Sequence, residues 1–224
     1  MIMTGYILRD LAADGKDDIV VLDEEPTEII RRDIFGWQGG RMPVQIGART
    51  HNFSNPTGLL SDCHRRIEMF LRSLQSVALV IDRPLSEESR ASLESALRYF
   101  REAAPKHTAD EEESLFPRLR QMDRPGVKDA IEQLESLEHE HLEAASLHAE
   151  VDELGQQCLL DGSMESDRVD AFRNAIARLT SIYAQHIAIE DDVIFPLAAR
   201  LLNPTDKAAI GNEMAARRTV KSMD

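Results

Sequence analysis

One stretch of this chain is written in it twice. HTADEEESLFP runs from His107 to Pro117, and HIAIEDDVIFP runs from His186 to Pro196. Each has a histidine, a glutamate four residues on, further acidic residues, and an aliphatic-Phe-Pro close. The copies stand 79 residues apart. Each also follows a solitary histidine at nearly the same distance: His64 precedes His107 by 43 residues, and His141 precedes His186 by 45. Such self-similarity marks a duplicated half, a helix with His followed by a helix with His-x-x-x-Glu. The period is too long and the copies too few for a solenoid. Two helices taken twice predict an all-α, up-and-down antiparallel four-helix bundle.

The apolar spacing supports this reading from Pro56 onward. Leu60, His64, Ile67, Leu71, Leu74, Ala78 and Ile81 alternate steps of four and three, the seam of a bundle helix. Pro84 breaks the chain and Ser86 is placed to cap a second helix, with Leu93, Leu97, Phe100, Ala104, His107 and Glu111 on its seam and a kink at Pro105. DRPG at 123–126 is a turn. The third helix aligns Ile131, Leu134, Glu138, His141, Ala145 and His148. After the turn Asp161-Gly162-Ser163, the fourth aligns Val169, Phe172, Ile176, Leu179, Tyr183, His186, Glu190, Val193 and Leu197. Asn203 and Pro204 end it, and Thr205 is read as the cap of a short fifth helix reaching Arg217 and Arg218. Short connections between long helices favour antiparallel neighbours.

Residues 1–55 do not share this pattern and read as an N-terminal extension preceding a bundle at 56–220. They hold a β-like run at Ile19–Leu22, a brief helix near Thr27–Asp33 and a Gly-rich turn around Trp37–Arg41. The net charge of -14 argues against nucleic acid, whose phosphates need clustered Lys and Arg, and against an anionic membrane surface. No apolar run approaches the ~20 residues of a membrane span, and the N-terminus lacks a secretory core. Two cysteines, Cys63 and Cys158, without C-x-x-C spacing indicate neither a disulfide framework nor a thiolate zinc site. A cytoplasmic protein is the economical expectation. A homo-oligomer is compatible with the sequence, but no feature calls for one.

The chemistry comes from where the polar residues fall. His64, His107, Glu111, His141, His186 and Glu190 all lie on seams otherwise filled by Leu, Ile, Ala and Phe. Residues i and i+4 share a helix face, so each His-x-x-x-Glu pair points into the bundle as a unit. An unpaired buried carboxylate costs several kcal/mol. A divalent metal offsets that cost, because it brings positive charge and uses the imidazole lone pairs. Imidazole with carboxylate and no thiolate suits iron or manganese, and zinc also fits. Four histidines and two glutamates are too many for one ion with a free position, but they suit two. If both glutamates bridge, they fill four of the roughly twelve positions of two six-coordinate ions, and the histidines fill four more. The remaining positions suit a solvent bridge, oxo or hydroxo, and an exogenous ligand.

With these residues the chain resembles the hemerythrin-like (HHE cation-binding) family: a lone histidine on the first helix, H-x-x-x-E, a lone histidine within LEHEHLEA, and a second H-x-x-x-E. The LFP and IFP closers and the M-x-x-R-R run at Met214–Arg218 also match, so the resemblance covers about residues 56–220. It implies a four-helix bundle around a non-haem di-iron centre that binds, senses or reduces O2, NO or peroxide. The alternative within the family is an iron store, donor or sensor without turnover. Ferritin-like di-iron proteins use Glu-x-x-His instead, which is not the order here. The oxygen carriers of the family place another histidine four residues after the third-helix one; here that residue is Ala145. Reversible oxygen carriage is therefore not expected, and a more open, more reactive site is.

Several residues compete for roles. Asp191, five residues after His186, matches the carriers' carboxylate spacing and competes with Glu190, which helical facing favours. His139 competes with His141 but points roughly 160° away around the helix. His148 lies about 10 Å along the axis from His141 and reads as core or as a residue behind the site. Glu68, one turn after His64, is a candidate extra partner. Tyr183, one turn before His186, packs or donates to a bound oxygen species. Cys63 reads as ordinary packing and His51 as solvated. Apart from Glu111, the acidic run Asp110–Glu113 reads as a solvated face.

Overall fold

The computed structural model describes residues 8–10, 19–21, 51–124 and 127–219, with backbone alone for the first two stretches and for residues 129 and 219. The chain divides into two units, Met1–Ala48 and Arg49–Asp224. In the first, β1 (Leu8–Asp10) and β2 (Ile19–Val21) pair antiparallel, Leu8 opposite Val21 and Asp10 opposite Ile19. β2 falls on the β-like run. The helix expected near Thr27–Asp33 and the turn around Trp37–Arg41 lie outside the described residues.

The second unit is helical: α1 (Pro56–Ala78), α2 (Glu87–Glu102), α3 (Ala104–Ala109), α4 (Phe116–Arg120), α5 (Val127–Asp161), α6 (Ser166–Ile189), α7 (Phe195–Leu201) and α8 (Pro204–Thr219). A π-helical turn joins α3 to α4 at Asp110–Leu115, and a second joins α6 to α7 at Glu190–Ile194. The helix α1 packs on α2 and α6, and α5 packs on the same two, so the four long helices close a ring. Among the described residues, no helix is long and apolar enough to cross a membrane.

Local chemistry sets the ends of these helices. Asn55 Oδ1 accepts from the Gly58 N–H at 3.3 Å, with Pro56 at the first helical position, where its missing N–H costs nothing. Ser86 Oγ accepts from the Ser89 N–H at 3.1 Å and starts α2. Gly162 ends α5 with φ 80, a conformation open to glycine, and its N–H donates to the Cys158 carbonyl at 2.9 Å. The cap of α8 is Asn203, not Thr205: Asn203 Oδ1 accepts from the Asp206 N–H at 2.9 Å. Thr205 already lies inside the first turn.

The interior follows the seams with two displacements. Leu60, Ile67, Leu74, Leu93, Phe172 and Leu179 are buried, each worth about 1.5–3 kcal/mol of transfer free energy as an upper bound. On α5 the buried line runs through Ala130, Leu134, Leu137, Ala144 and Val151. Ile131 is only half-buried and Ala145 is exposed. At a 3.6-residue period both the i+3 and i+4 neighbours of Leu134 can share its face, and packing selects one. Glu138 is therefore off the core, binding Arg120 through two contacts of 2.7 Å. Val193, expected inside, is 42% exposed while Ile194 is fully buried. The π turn takes up extra residues there and rotates the helix beyond it.

The two Phe-Pro closers meet at one end of the bundle. Leu115, Phe116, Ile194 and Phe195 share an apolar cluster with Ile210 and Met214 of α8. The close approach that seats α8 needs Gly211, because a side chain there would run into the carbonyl of Phe53. Gly211→Ala is expected to cost about 1–3 kcal/mol, as overpacking does. Thermal unfolding monitored by circular dichroism should show the midpoint several degrees lower. An unchanged midpoint would mean that the two backbones part without cost.

Candidate metal centre

All six histidines and glutamates singled out on the seams converge. The candidate ligand atoms of His64, His107, Glu111 and Glu190 lie within 4.8 Å of one another, and so do those of Glu111, His141, His186 and Glu190. The histidines form two pairs, with ring centroids 4.9 Å apart for His64 and His107 and 4.5 Å for His141 and His186. The glutamates stand between the pairs. Glu111 Oε1 is 3.3 Å from His107 Nε2 while its Oε2 is 3.4 Å from His141 Nε2. Glu190 Oε2 is 3.1 Å from His64 Nε2 and 3.2 Å from His186 Nε2. Each carboxylate thus faces one imidazole of either pair.

The outer ring nitrogens are held by a second set of carboxylates. His64 Nδ1 lies 3.1 Å from Asp191 Oδ1, His141 Nδ1 lies 2.8 Å from Glu112 Oε1, and His186 Nδ1 lies 3.0 Å from Glu140 Oε2. A carboxylate can only accept, so each Nδ1 carries a proton and each Nε2 is aimed inward at the glutamates. Asp191 is itself held by Ser61 at 2.7 Å and Arg65 at 3.1 Å. It stands behind His64, not inside either cluster. Sequence reasoning missed Glu112 and Glu140 in this role. The signal was present: an acid follows the glutamate in both copies of the motif, and an acid precedes His141.

In the acidic run 110–113 Glu113 is exposed as expected, but Asp110 is not. Asp110 is fully buried, with Arg217 Nη1 at 2.9 Å on one oxygen and Arg218 Nη2 at 2.7 Å on the other. Arg217 also donates to Ser114 Oγ at 2.9 Å and to Glu113 at 3.1 Å. The last helix therefore clamps the π turn that carries Glu111. The Phe of each closer lies over the lone histidine of another helix: Phe195 over His64 at 5.2 Å and Phe116 over His141 at 6.5 Å, nearly parallel in both cases.

The π turns have a local cause. The N–H of Phe116 donates to the carbonyl of Glu111 and that of Phe195 to the carbonyl of Glu190, five residues back. The next residue in each case, Pro117 or Pro196, has no N–H, and its ring crowds the carbonyl four residues before it. Loosening that turn lets the wider bond form.

Other candidates fall outside the clusters. His139 is exposed and Glu68 belongs to neither group. His51 is partly exposed but engaged, its N–H donating to Asp62 at 2.8 Å. Cys63 is buried and accepts from Arg66 at 3.2 Å. Tyr183 and His148 contact each other, Oη to Nε2, at 3.0 Å. Burial pulls His148 down to about 4, so it is neutral near pH 7.

Electrostatics show how poorly the cluster satisfies itself. Burial, then Glu190 and Asp110 nearby, push Glu111 well above the usual carboxylate range. Burial pushes Glu190 the same way, but His186 and His64 overcome it and hold the carboxyl low. His107 is driven well below the usual imidazole range by burial and by His64. His64 and His186 are raised: burial opposes this, but Asp191 and Glu190 prevail at the first, and Glu190 and Glu140 at the second. All four oxygens of Glu111 and Glu190, and Nε2 of His64, are buried without an aligned hydrogen bond despite their short separations. Such orphans cost about 1–3 kcal/mol each, more for charged groups. Positive charge placed among them removes that cost, so the donor set fits a metal cation.

These features define the class: a helical bundle built around a buried imidazole-carboxylate cation site. The family model described as Hemerythrin HHE cation binding domain matches residues 55–198, and the chain belongs to that family. It is 29% identical over 170 residues, 75% of this chain and 93% of the relative, to an uncharacterized protein of Haemophilus influenzae. No solved structure matches it.

The supporting residues can be tested directly. Glu112→Gln and Asp191→Asn each keep the shape but weaken the hold on a ring, and each should lower metal affinity about 10–100-fold in chelator competition. Equal affinity in both variants would show the rings to be positioned by packing alone. Replacing Arg217 and Arg218 together by Ala leaves Asp110 buried and unpaired, at about 3–5 kcal/mol in denaturant unfolding. Adding Asp110→Ala to that variant should recover most of the loss.

Proposed function

We propose that this protein is a non-haem di-iron protein whose open centre binds, senses or reduces a small oxidant: O2, NO or peroxide. His64 and His107 would hold one ion and His141 and His186 the other, with Glu111 and Glu190 facing both pairs. The observation that carries the reading is the sharing of both glutamates between two histidine pairs. Six protein side chains leave coordination positions free on two ions of ordinary coordination number. Bound there, iron would supply reversible one-electron chemistry and sites for an exogenous ligand. Manganese fits the same donors.

The protein groups have definable tasks. Asp191, Glu112 and Glu140 fix three imidazoles as Nδ1–H tautomers, so their Nε2 atoms need no rearrangement to coordinate. Phe195 and Phe116 exclude water from the flanks of His64 and His141. Ala145, where the carriers of the family have a further histidine, lines a cavity that reaches His141. That supports an exchangeable position on the His141–His186 side. Tyr183, its hydroxyl pushed up by burial and then by Glu111 and Glu190, stays protonated and can donate.

Protein purified without chelators is expected to carry two iron ions per chain, with one or none in His107→Ala and in His186→Ala. Removing the metal should lower stability by about 2.7 kcal/mol or more, the linkage for a ligand at 100 times its Kd. Reduced anaerobic protein should change its visible spectrum with at least one of O2, NO and peroxide. Iron content with no response to all three, together with transfer of iron to an acceptor, would favour the store-or-donor reading. Full iron retention in both histidine variants would remove the proposed ligands.

A further inference from the structure

The cavity beside the centre has a volume of about 390 Å³. A diatomic or a peroxide needs roughly one or two water volumes, about 30 Å³ each, and a dry pocket of ~150 Å³ already admits benzene. The space is therefore in the range of organic-ligand pockets, about 300–1,000 Å³. Its wall is apolar, formed by Leu97 and Phe100 of α2 and by Ala144, Ala145, Ala149 and Val151 of α5. Three alanines on one helix face hollow out what longer side chains would fill.

Its polar groups are few. Thr108, His141, His148 and Tyr183 line it, and at the rim Arg101 and Asp152 neutralise each other at 2.9 Å. His148 is neutral near pH 7, because burial pulls it down to about 4. Its ring is stacked on Phe100 at 4.2 Å and its Nε2 meets the Tyr183 hydroxyl, while its Nδ1 is buried without a partner among the described residues. A hydroxyl bonded once to an imidazole keeps capacity for a second bond. No unpaired charged side chain lines the wall, so a charged guest would find no counter-charge there.

We infer that this cavity is a binding site for an uncharged, largely apolar organic molecule with one hydroxyl or hydroperoxide head, of about ten non-hydrogen atoms, the head meeting Tyr183. Tyr183 lies 6.4 Å from His186 between ring centroids, so the head is delivered to the His141–His186 side of the centre. The role of such a molecule as reaction partner rests on the function proposed above; its binding does not.

The probe is 4-fluorobenzyl alcohol, observed by 19F NMR on the full chain, metal-loaded and metal-free. One saturable site is expected in both forms. Ala149→Trp fills the cavity from a surface-accessible position and should weaken binding at least tenfold while metal content and helical circular dichroism stay as in the wild type. Tyr183→Phe should weaken binding about threefold to tenfold, the worth of one neutral hydrogen bond. Should Ala149→Trp fail to fold, Ala145→Leu fills the same space and carries the same expectation. No saturable binding to the wild type, or equal affinity in the folded filled variant, overturns the inference. Probe binding by a protein that takes up no metal would sink the di-iron reading and leave this one standing. A metal-loaded protein blind to the probe would do the reverse.

Discussion

Two carboxylates and four imidazoles sit in an interior otherwise made of Leu, Ile, Phe and Ala, and the rest of the structure answers that fact. Glu111 and Glu190 have no exposure, and their oxygens find no aligned donor. Burial first, and then the charge of Glu190, raise the affinity of Glu111 for a proton, which shows how costly its ionised form is there. Apolar packing stabilises the bundle and supplies no remedy for this local charge problem. Positive charge between the two histidine pairs relieves it, and the donors face that position.

The duplicated halves solve the same geometric problem by exchange. Within each motif the glutamate faces inward, the next acid reaches to the lone histidine of another helix, and the phenylalanine lies over that same ring. Motif and lone histidine are thus paired across the duplication, 107–117 with His141 and 186–196 with His64. The symmetry then breaks at one point. His186 has Glu140 on its Nδ1, from the residue before His141; the residue before His64 is Cys63, and His107 Nδ1 is buried without a partner among the described residues. His107, driven down by burial and by His64, is the less basic imidazole of its pair and lacks the outer carboxylate that the other three have. The two histidine pairs are chemically inequivalent even though their donor types are identical.

The site was more legible than its support. His64, His107, Glu111, His141, His186 and Glu190 could be read because helical period and duplication each select them independently. Their outer partners could not be chosen the same way, since Glu112, Glu140 and Asp191 differ from solvated acids only in which neighbouring helix they meet. Asp110 shows the limit most clearly. An aspartate in a run of acids looks exposed until the last helix brings two arginines to it, a contact more than a hundred residues away in sequence. The displaced seam after Glu190 has a local cause that sequence does show: a proline six residues after the glutamate removes a donor, permits a π turn, and moves Val193 out and Ile194 in. The Thr205 cap failed for a simpler reason, since Asn203 offers a better acceptor two residues earlier.

The inequivalence of the two halves extends to access. Among the six clustered residues the cavity reaches only His141, on the half where Ala145 replaces the bulk of a longer side chain. The other half has Phe195 over His64, with Leu59 and Leu60 buried beside it. A ligand exchanging at the centre therefore meets different surroundings on its two sides: apolar closure at one, and an apolar hollow with a neutral Tyr–His pair at the other. Neutral imidazole and protonated phenol can direct hydrogen bonds without adding charge to a centre already crowded with it. The small side chain of Ala145 on α5 leaves open the space beside His141 through which something other than water can approach.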